Sequence, residues 1–200
     1  GQVTVAGHDV VGEYRAAREL IGLVPQELSL EAFESVAHCV SFSRGLFGKP
    51  RNPEYVDQVL KSLSLFDKRD SKVMTLSGGM KRRVLIAKAL AHEPRVLFLD
   101  EPTAALGVKQ AAHVLRIVNE AKRRGLAVIF ITHQVMHAMA VGDHFAVLIR
   151  GAIAADFRKG DKTREEIADL MAGGESMADL EANIEGYMEA HDGQVPDPVH

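Results

Sequence analysis

The stretch VLFLDEPT at residues 96–103 decides the fold. Its first four residues are continuously apolar, which is typical of a strand in a parallel sheet that is covered on both faces. Two carboxylates, Asp100 and Glu101, follow where this strand ends. Because ligands of open α/β sheets bind at the carboxyl ends of the strands, we expect these two side chains at a ligand site.

A helix and a second strand follow this stretch. The apolar run at residues 127–131 predicts another buried strand, and the segment before it carries an apolar helical stripe that ends at Gly125, a favourable C-terminal cap. Strand, helix and strand form a βαβ unit with a right-handed crossover. His133 follows the second strand after one threonine, so we expect it at the same sheet edge as Asp100.

The residues upstream of this unit divide into a strand and a helical part. The apolar run at residues 21–24 predicts another strand, and Gln26, just beyond it, carries an amide able to contact Mg²⁺ or its water. Between residues 29 and 92 the apolar periodicity becomes helical, with one clear face starting at Val56. We expect a loop from Gly45 to Pro53, before that helix.

A candidate anion site opens the last of these helices. Ser77, Gly78 and Gly79 place a hydroxyl and two side-chain-free amides where exposed N–H groups and the helix dipole favour phosphate. A plain N-cap explains the same residues, since serine is one of the best capping residues. The basic run at residues 81–83 has the composition of a nucleic-acid patch, but we interpret it as a solvated cationic helix face.

Composition argues against several classes of function. The chain of 200 residues carries 24 Lys+Arg against 27 Asp+Glu, a formal charge of −3, which is unusual for a dedicated nucleic-acid binder. The single cysteine, Cys39, excludes an internal disulfide framework and fits a reducing compartment. The longest apolar run, residues 126–131, is far shorter than the ~18 residues that a membrane-spanning helix needs. We therefore expect a cytoplasmic protein.

Together these motifs resemble the nucleotide-binding subunit of ATP-binding cassette (ABC) transporters. The resemblance covers about residues 1–155 and rests on four motifs: VPQE at residues 24–27, LSGGMKR at 76–82, VLFLDEPT at 96–103 and ITH at 131–133. It implies an α/β fold of the P-loop NTPase type, whose mostly parallel sheet core is incomplete here because the P-loop unit is lacking. An inserted helical subdomain and a C-terminal helical appendage complete the expected architecture.

The resemblance assigns a role to each motif, with ATP and Mg²⁺ as the ligands. It implies that Gln26 and Asp100 contact Mg²⁺ and that Glu101 is the catalytic base. Gln26 would also couple the site to a membrane subunit. Residues 77–79 match the signature loop, which closes on the γ-phosphate of ATP held by the opposite subunit. His133 matches the histidine that steadies that phosphate.

The family pattern also implies partners and a division into segments. The expected partners are transmembrane permease subunits and a second ATPase subunit, in a homodimer or a heterodimer on the cytoplasmic face of the membrane, with no nucleic acid. The expected segments are the start of the ATPase core at residues 1–30, the helical subdomain at 31–92, the core again at 93–158, and C-terminal helices with a disordered tail at 159–200. Capping-box patterns at Thr163 and Ser176 predict where those helices begin.

One departure from the family pattern concerns the phosphate loop. The sequence contains no G-x-x-x-x-G-K-[ST] motif, and its only Gly-Lys pair, at residues 48–49, is followed by Pro50. The simplest interpretation is that a strand, the phosphate loop and its helix precede Gly1. Millimolar to micromolar ATP binding corresponds to roughly 4 to 8 kcal/mol, whereas an anion at a helix N-terminus gains only about 0.3 to 1 kcal/mol. We therefore predict that this chain alone neither binds ATP tightly nor hydrolyses it.

Two further departures bear on subunit type. Gly107 stands where the family usually has an aspartate that contacts the partner subunit. Residues 45–88 are more similar to drug or polysaccharide exporters, whereas residues 104–110 and 170–174 are more similar to sugar importers, so a composite sequence stays open. Two alternatives to an active transporter ATPase also remain: a degenerate, non-hydrolysing partner that supplies only residues 77–79, and a soluble ABC ATPase of repair or translation.

Overall fold

A computed structural model describes residues 1–171, which belong to two compact units divided after Val141. The elements of the first unit are β1 (Thr4–Val5), β2 (His8–Asp9), α1 (Tyr14–Glu19), β3 (Ile21–Val24), α2 (Val36–Leu46), α3 (Pro53–Ser62), α4 (Gly78–Leu90), β4 (Val96–Asp100), α5 (Val108–Arg123), β5 (Ala127–Ile131) and α6 (Val135–Val141). Short 3₁₀ turns at Phe66–Lys68 and Val73–Thr75 lie between α3 and α4.

The central sheet of the first unit has three parallel strands in the order β3-β4-β5. Val24 pairs with Leu99, and Asp100 pairs with Ile131, so all three strands end at one edge. The predicted βαβ unit is confirmed as β4-α5-β5, and α5 is followed by Gly125 at φ +88, the left-handed conformation expected of a C-terminal cap.

The two faces of this sheet differ in burial. Side chains of Val24, Leu97 and Leu99 on one face are at most 1% exposed. On the other face Leu23 is 61% exposed and Ile129 is 44% exposed. The prediction that the strands are covered on both faces was therefore wrong for β5, whereas Val96 and Phe98 on the same face of β4 are half-buried. A continuous apolar run indicates where a strand is buried, but not which neighbouring element covers each face.

Helices dominate residues 31–92, as the periodicity predicts. Three N-caps start them: the Ser35 hydroxyl accepts from the backbone of His38, the Asn52 side-chain oxygen from that of Tyr55, and the Ser77 hydroxyl from that of Met80. Their apolar faces form one core with the sheet, and its fully buried members include Val36, Val40, Leu60, Val84 and Ile86.

The loop predicted from Gly45 starts later than expected. Gly45 lies inside α2, which continues to Leu46, and the chain turns at Gly48 with φ +68. Pro53 then occupies the first turn of α3, where its missing N–H costs no helical hydrogen bond. The sequence placed the start of the loop too early because one glycine inside a helix is tolerated.

The second unit, as far as Met171, contains a hairpin and a helix. Strands β6 (His144–Ile149) and β7 (Ala152–Arg158) pair antiparallel around Arg150 and Gly151, both at positive φ, as the predicted hairpin requires. Helix α7 (Arg164–Met171) begins with the predicted capping box, in which Thr163 and Glu166 exchange hydrogen bonds.

The predicted helix after Ser176 and the predicted disordered tail lie outside the described residues. The division at residues 30, 92 and 158 stays a prediction. Within residues 1–171, every helix is too short or too polar to cross a membrane.

Candidate functional site

Three of the predicted site residues lie at or just beyond the ends of neighbouring strands. Asp100 is the last residue of β4, Gln26 lies two residues after β3, and His133 lies two residues after β5. Because these parallel strands end in register, the structure brings Gln26, Asp100 and His133 to one edge of the sheet, as predicted. Gln26 and His133 are exposed there, and Asp100 is half-buried.

Glu101 is held in a fixed position beside this edge. Its backbone N–H donates to the carbonyl of Ile131, and its φ of +43 lies in the left-handed region, which non-glycine residues adopt only under constraint. Oε1 of Glu101 accepts two hydrogen bonds from His133, one from the backbone N–H and one from Nδ1, both at 2.7 Å. Oε2 accepts a third from the Thr132 hydroxyl at 3.1 Å.

These hydrogen bonds set the chemistry of both side chains. Nδ1 of His133 must carry a hydrogen in order to donate to the carboxylate. The side chain is 74% exposed, so its other ring nitrogen, Nε2, is accessible. A carboxylate offers about four lone-pair positions, of which three are used here. The Glu101 side chain is 12% exposed. One acceptor position on Oε2 is therefore left for a further donor.

A second hydrogen bond joins the segment after Glu101 to α6. The Thr103 side chain, 1% exposed, lies with its hydroxyl 2.9 Å from Nδ1 of His137. This contact ties the segment that follows β4 to the helix that follows His133. Sequence reasoning missed Thr132, Thr103 and His137, although the ITH and DEPT motifs contain two of them.

Residues 77–79 contact the start of α5. Ser77 caps α4, as the N-cap interpretation of this motif predicts, and its hydroxyl accepts from the backbone N–H of Met80 at 3.3 Å. A Cβ added to Gly79 would lie 3.0 Å from the side-chain carbonyl carbon of Gln110. A pocket of about 190 Å³ opens here, lined by Ser77, Gly79, Arg83, Lys109, Gln110 and His113. No hydrogen bond within residues 1–171 joins residues 77–79 to Asp100, Glu101 or His133.

The basic run at residues 81–83 is not a solvated face. Arg82 is 4% exposed, and its guanidinium donates to the carbonyls of Pro25 and Gln26, each at 2.7 Å. Arg83 donates to the carbonyls of Leu63 and Ser64 at 2.9 and 3.0 Å. The interpretation of this run as a solvated face was wrong because a run of charges does not reveal carbonyl groups that the fold brings within reach.

The side-chain oxygens at the sheet edge suit a Mg²⁺ ion that is bound together with a phosphate ligand. Mg²⁺ retains several waters and takes one or two carboxylates together with substrate phosphates. Asp100 supplies one carboxylate, and the exposed Gln26 supplies an amide at the same edge. Within residues 1–171 no group of three or more His, Cys, Asp or Glu residues forms a metal site made of protein alone.

Comparison with known proteins identifies the family. A model of the family described as "ABC transporter" matches residues 1–104, more than half of the chain. This chain belongs to the ABC transporter family. The resemblance to its nucleotide-binding subunits is thereby confirmed, and the family is one of ATPases. The roles of the individual site residues stay predictions.

Curated relatives of this ABC chain come from several transport systems. It is 30% identical to the linearmycin resistance ATP-binding protein LnrL of Bacillus subtilis, over 80% of this chain and 52% of the relative. It is 36% identical to the methionine import ATP-binding protein MetN of Myxococcus xanthus, over 76% and 48%. A putative ribose/galactose/methyl galactoside import ATP-binding protein of Burkholderia lata is 29% identical, over 88% and 35%. The chain thus spans about half or less of these relatives.

A solved structure supports the fold. The ATP-binding cassette MJ0796, in a dimeric post-hydrolysis state bound to ADP and Pi, superposes with a TM-score of 0.71 at 22% identity. The match covers 81% of this chain and 75% of that one. The expected α/β fold of the P-loop NTPase type is therefore confirmed.

Proposed function

We propose that this chain is part of an ATP-hydrolysing subunit of an ABC transporter, in which hydrolysis drives solute transport across a membrane. The observation that carries the proposal is the arrangement of Glu101, whose carboxylate is fixed by His133 and Thr132 while one position on Oε2 stays available. A fixed carboxylate with one free lone pair, next to a strand-end aspartate, suits a general base that orients an attacking water.

Each residue then has a defined task. Oε2 of Glu101 takes a proton from water as the water oxygen bonds to the γ-phosphorus. The bond from that phosphorus to the oxygen shared with the β-phosphate breaks, so ADP leaves and inorganic phosphate is formed. Nε2 of His133 donates to that phosphate. Because Nδ1 donates to Glu101 at the same time, both ring nitrogens must carry a hydrogen. Asp100 and Gln26 would hold Mg²⁺, whose charge would offset that of the phosphates. The N-terminal amides of α4, at residues 77–79, bind the γ-phosphate of a nucleotide held by another subunit.

The proposal includes partners. A second ATPase subunit, identical or different, supplies the other half of each nucleotide site. Transmembrane permease subunits contact the helical residues 31–92, and the chain is peripheral on the cytoplasmic face of the membrane. The names of the curated relatives, which include import and resistance ATP-binding proteins, support a transport role.

A second candidate function follows from a specific feature of the sequence. Because these 200 residues contain no G-x-x-x-x-G-K-[ST] motif, the chain by itself lacks the loop that normally binds the α- and β-phosphates. In this alternative the chain is a non-hydrolysing partner that contributes only residues 77–79 to the site of a complete ATPase.

Two measurements separate these candidates. The first joins the chain to an upstream phosphate-loop segment of a relative and measures phosphate release with and without the Glu101→Gln substitution. Hydrolysis that depends on Glu101 supports the active subunit, and hydrolysis that the substitution leaves undiminished contradicts it. The second mixes the unmodified chain with a full-length relative whose own catalytic glutamate is replaced by glutamine. ATP-dependent association without turnover supports the partner role.

A further inference from the structure

Arg82 connects the helix that begins at Ser77 to the segment that contains Gln26. Its side chain is 4% exposed, and Nη1 donates to the Pro25 carbonyl while Nη2 donates to the Gln26 carbonyl, both at 2.7 Å. These acceptors are consecutive backbone groups. The rigid, planar fork of a guanidinium therefore fixes both the position and the direction of this backbone segment relative to α4.

The charge of Arg82 also interacts with that of Asp100. Burial lowers the pKa of the Arg82 guanidinium, and the negative charge of Asp100 opposes that shift. Nε of Arg82 is buried without a hydrogen-bond partner. The buried cation is thus stabilised by two carbonyls and by the field of one carboxylate, so losing either carbonyl while the charge stays buried is costly.

The far end of α4 is fixed to the same strand. A Cβ added to Gly22 of β3 would lie 2.4 Å from the carbonyl oxygen of Ala89, so helix and strand touch backbone to backbone there. Arg82 contacts the segment just after the carboxyl end of β3, and Ala89 contacts its amino half, so α4 runs antiparallel to β3. The Gly22 contact fixes the far end of α4 on the strand, so movement passed through Arg82 falls on the near end of the helix.

We infer that Arg82 is a positioning residue that makes the Gln26 segment and α4 move as one body. A displacement of Gln26 by its ligand is then passed through the Arg82 guanidinium to residues 77–79, one turn away at the start of the same helix. This inference rests on the proposed function of Gln26 and residues 77–79, but the mechanical link itself requires no nucleotide.

Arg83 provides a matched control on the same helix. It is the next residue, it is also an arginine with a partly buried side chain, and it also binds two consecutive carbonyls, those of Leu63 and Ser64. Loss of Arg83 removes a comparable cation and a comparable pair of hydrogen bonds without touching the Gln26 segment. It also removes a weaker hydrogen bond from Nε to the Gly79 carbonyl at 3.4 Å, so shifts at residues 77–80 are measured against each single variant.

The test is backbone ¹⁵N NMR on the 200-residue chain without nucleotide. In Arg82→Gln we expect the order parameters of the Gln26 and Glu27 amides to fall from about 0.85, typical of a rigid backbone, to below about 0.6. In Arg83→Gln these two amides should keep the wild-type values. Arg82→Lys keeps the charge but cannot bridge both carbonyls as a fork, so a smaller fall at the same amides is expected.

A substitution cycle then tests whether the link carries a signal. Gln26→Ala should shift the amide resonances of Ser77–Met80 in the wild-type and Arg83→Gln backgrounds, and the shifts should vanish in the Arg82→Gln background. Shifts that persist without Arg82, or unchanged order parameters at Gln26, overturn the inference. If Arg82→Gln does not fold, the test uses Arg82→Lys. Wild-type order parameters in Arg82→Lys, or loss of order throughout the chain, also overturn the inference.

The proposed function fails separately. Absent ATP hydrolysis with an intact NMR response refutes the catalytic role and leaves the mechanical link standing. Glu101-dependent hydrolysis without the NMR response refutes only the link.

Discussion

Nδ1 of His133 and Oε1 of Glu101 lie 2.7 Å apart, and the backbone N–H of the same histidine donates to the same oxygen at 2.7 Å. One residue of the segment after β5 therefore holds Glu101 twice, once through backbone and once through side chain. Rotation of the carboxylate would break both hydrogen bonds together. The orientation of Glu101 is consequently set by the strand next to its own, before any ligand binds.

The first prediction concerns Glu101→Gln in a hydrolysing assembly that contains this chain. We expect phosphate release to fall about 10²- to 10⁴-fold, the usual contribution of a general base, because an amide cannot take a proton from water. The fold should persist, since the glutamine side-chain oxygen still accepts from the backbone N–H of His133. Phosphate release and thermal unfolding are the measurements.

The control for this prediction is Glu19→Gln. Glu19 is an exposed glutamate at the end of α1, so the substitution makes the same chemical change away from the sheet edge. It should leave hydrolysis within a factor of two or so, because exposed charges contribute little to distant groups. Equal rates in Glu101→Gln and Glu19→Gln would remove Glu101 from the reaction.

The second prediction compares the two glycines of the signature loop. A Cβ at Gly78 meets nothing within 4 Å, so Gly78→Ala should stabilise the chain by up to about 1 kcal/mol through its lower backbone entropy. At Gly79 the new Cβ lies 3.0 Å from the Gln110 side chain, which must move. We expect Gly79→Ala to be at least about 1 kcal/mol less stable than Gly78→Ala in urea unfolding.

Gln110 provides the internal check on this steric explanation. Gln110→Ala removes the atoms that the new Cβ meets, but it also removes the hydrogen bond from the Gly107 N–H to Gln110 Oε1 at 3.3 Å. Its cost should therefore be smaller in the Gly79→Ala background than in the wild type. Equal costs in the two backgrounds would show that crowding between residue 79 and Gln110 is not the cause.

The residues that meet at the edge of the sheet could be predicted from the sequence, because neighbouring parallel strands end at the same edge. Once residues 96–100 and 127–131 are placed as neighbouring parallel strands, Asp100 and His133 must meet at one edge. The hydrogen bonds from His133 and Thr132 to Glu101 could not be predicted. They depend on the left-handed backbone at Glu101, which no residue-type preference indicates.

The burial of Arg82 escaped prediction for a different reason. Its acceptors, the carbonyls of Pro25 and Gln26, are more than fifty positions earlier in the chain, and backbone groups leave no mark in a sequence. A stripe of charges looks the same whether solvent or carbonyl oxygens surround it. The exposed face of β5 could not be predicted either, because isoleucines such as Ile129 and Ile131 are expected in the core unless the neighbouring elements are known.

The third prediction is a loss of stability in mild acid caused by His92. This ring is 1% exposed, stacks on Phe47 at 3.7 Å, and lies with Nε2 2.9 Å from the Ile21 carbonyl. Burial lowers the pKa of His92 below its ordinary value of 6.5, so the folded state resists protonation. As the pH falls through about 6.5 the unfolded state binds more protons, and the free energy of unfolding declines.

His92→Phe isolates this contribution. The variant should be less stable than wild type near pH 8, because the Ile21 carbonyl loses its donor, at a cost of about 1–3 kcal/mol. The difference between the two free energies of unfolding should narrow by about pH 5.5, because wild type loses stability as the pH falls and phenylalanine does not titrate. Phe47→Leu, which retains the imidazole, should keep the wild-type acid sensitivity. Parallel stability curves for wild type and His92→Phe would contradict this account.

The fourth prediction concerns Gly22, where α4 and β3 touch. A Cβ there would lie 2.4 Å from the Ala89 carbonyl oxygen and 3.1 Å from side-chain atoms of Leu97 and Pro94. Because the nearest atom belongs to a helix backbone and cannot rotate away, Gly22→Ala should destabilise the chain by about 1–3 kcal/mol or more in urea unfolding. The matched control is Gly45→Ala in α2, where nothing lies within 4 Å and the usual helix preference for alanine should stabilise by up to about 1 kcal/mol. If Gly22→Ala were as stable as Gly45→Ala, the close packing of α4 on β3, and with it the fixed attachment of the signature helix, would be wrong.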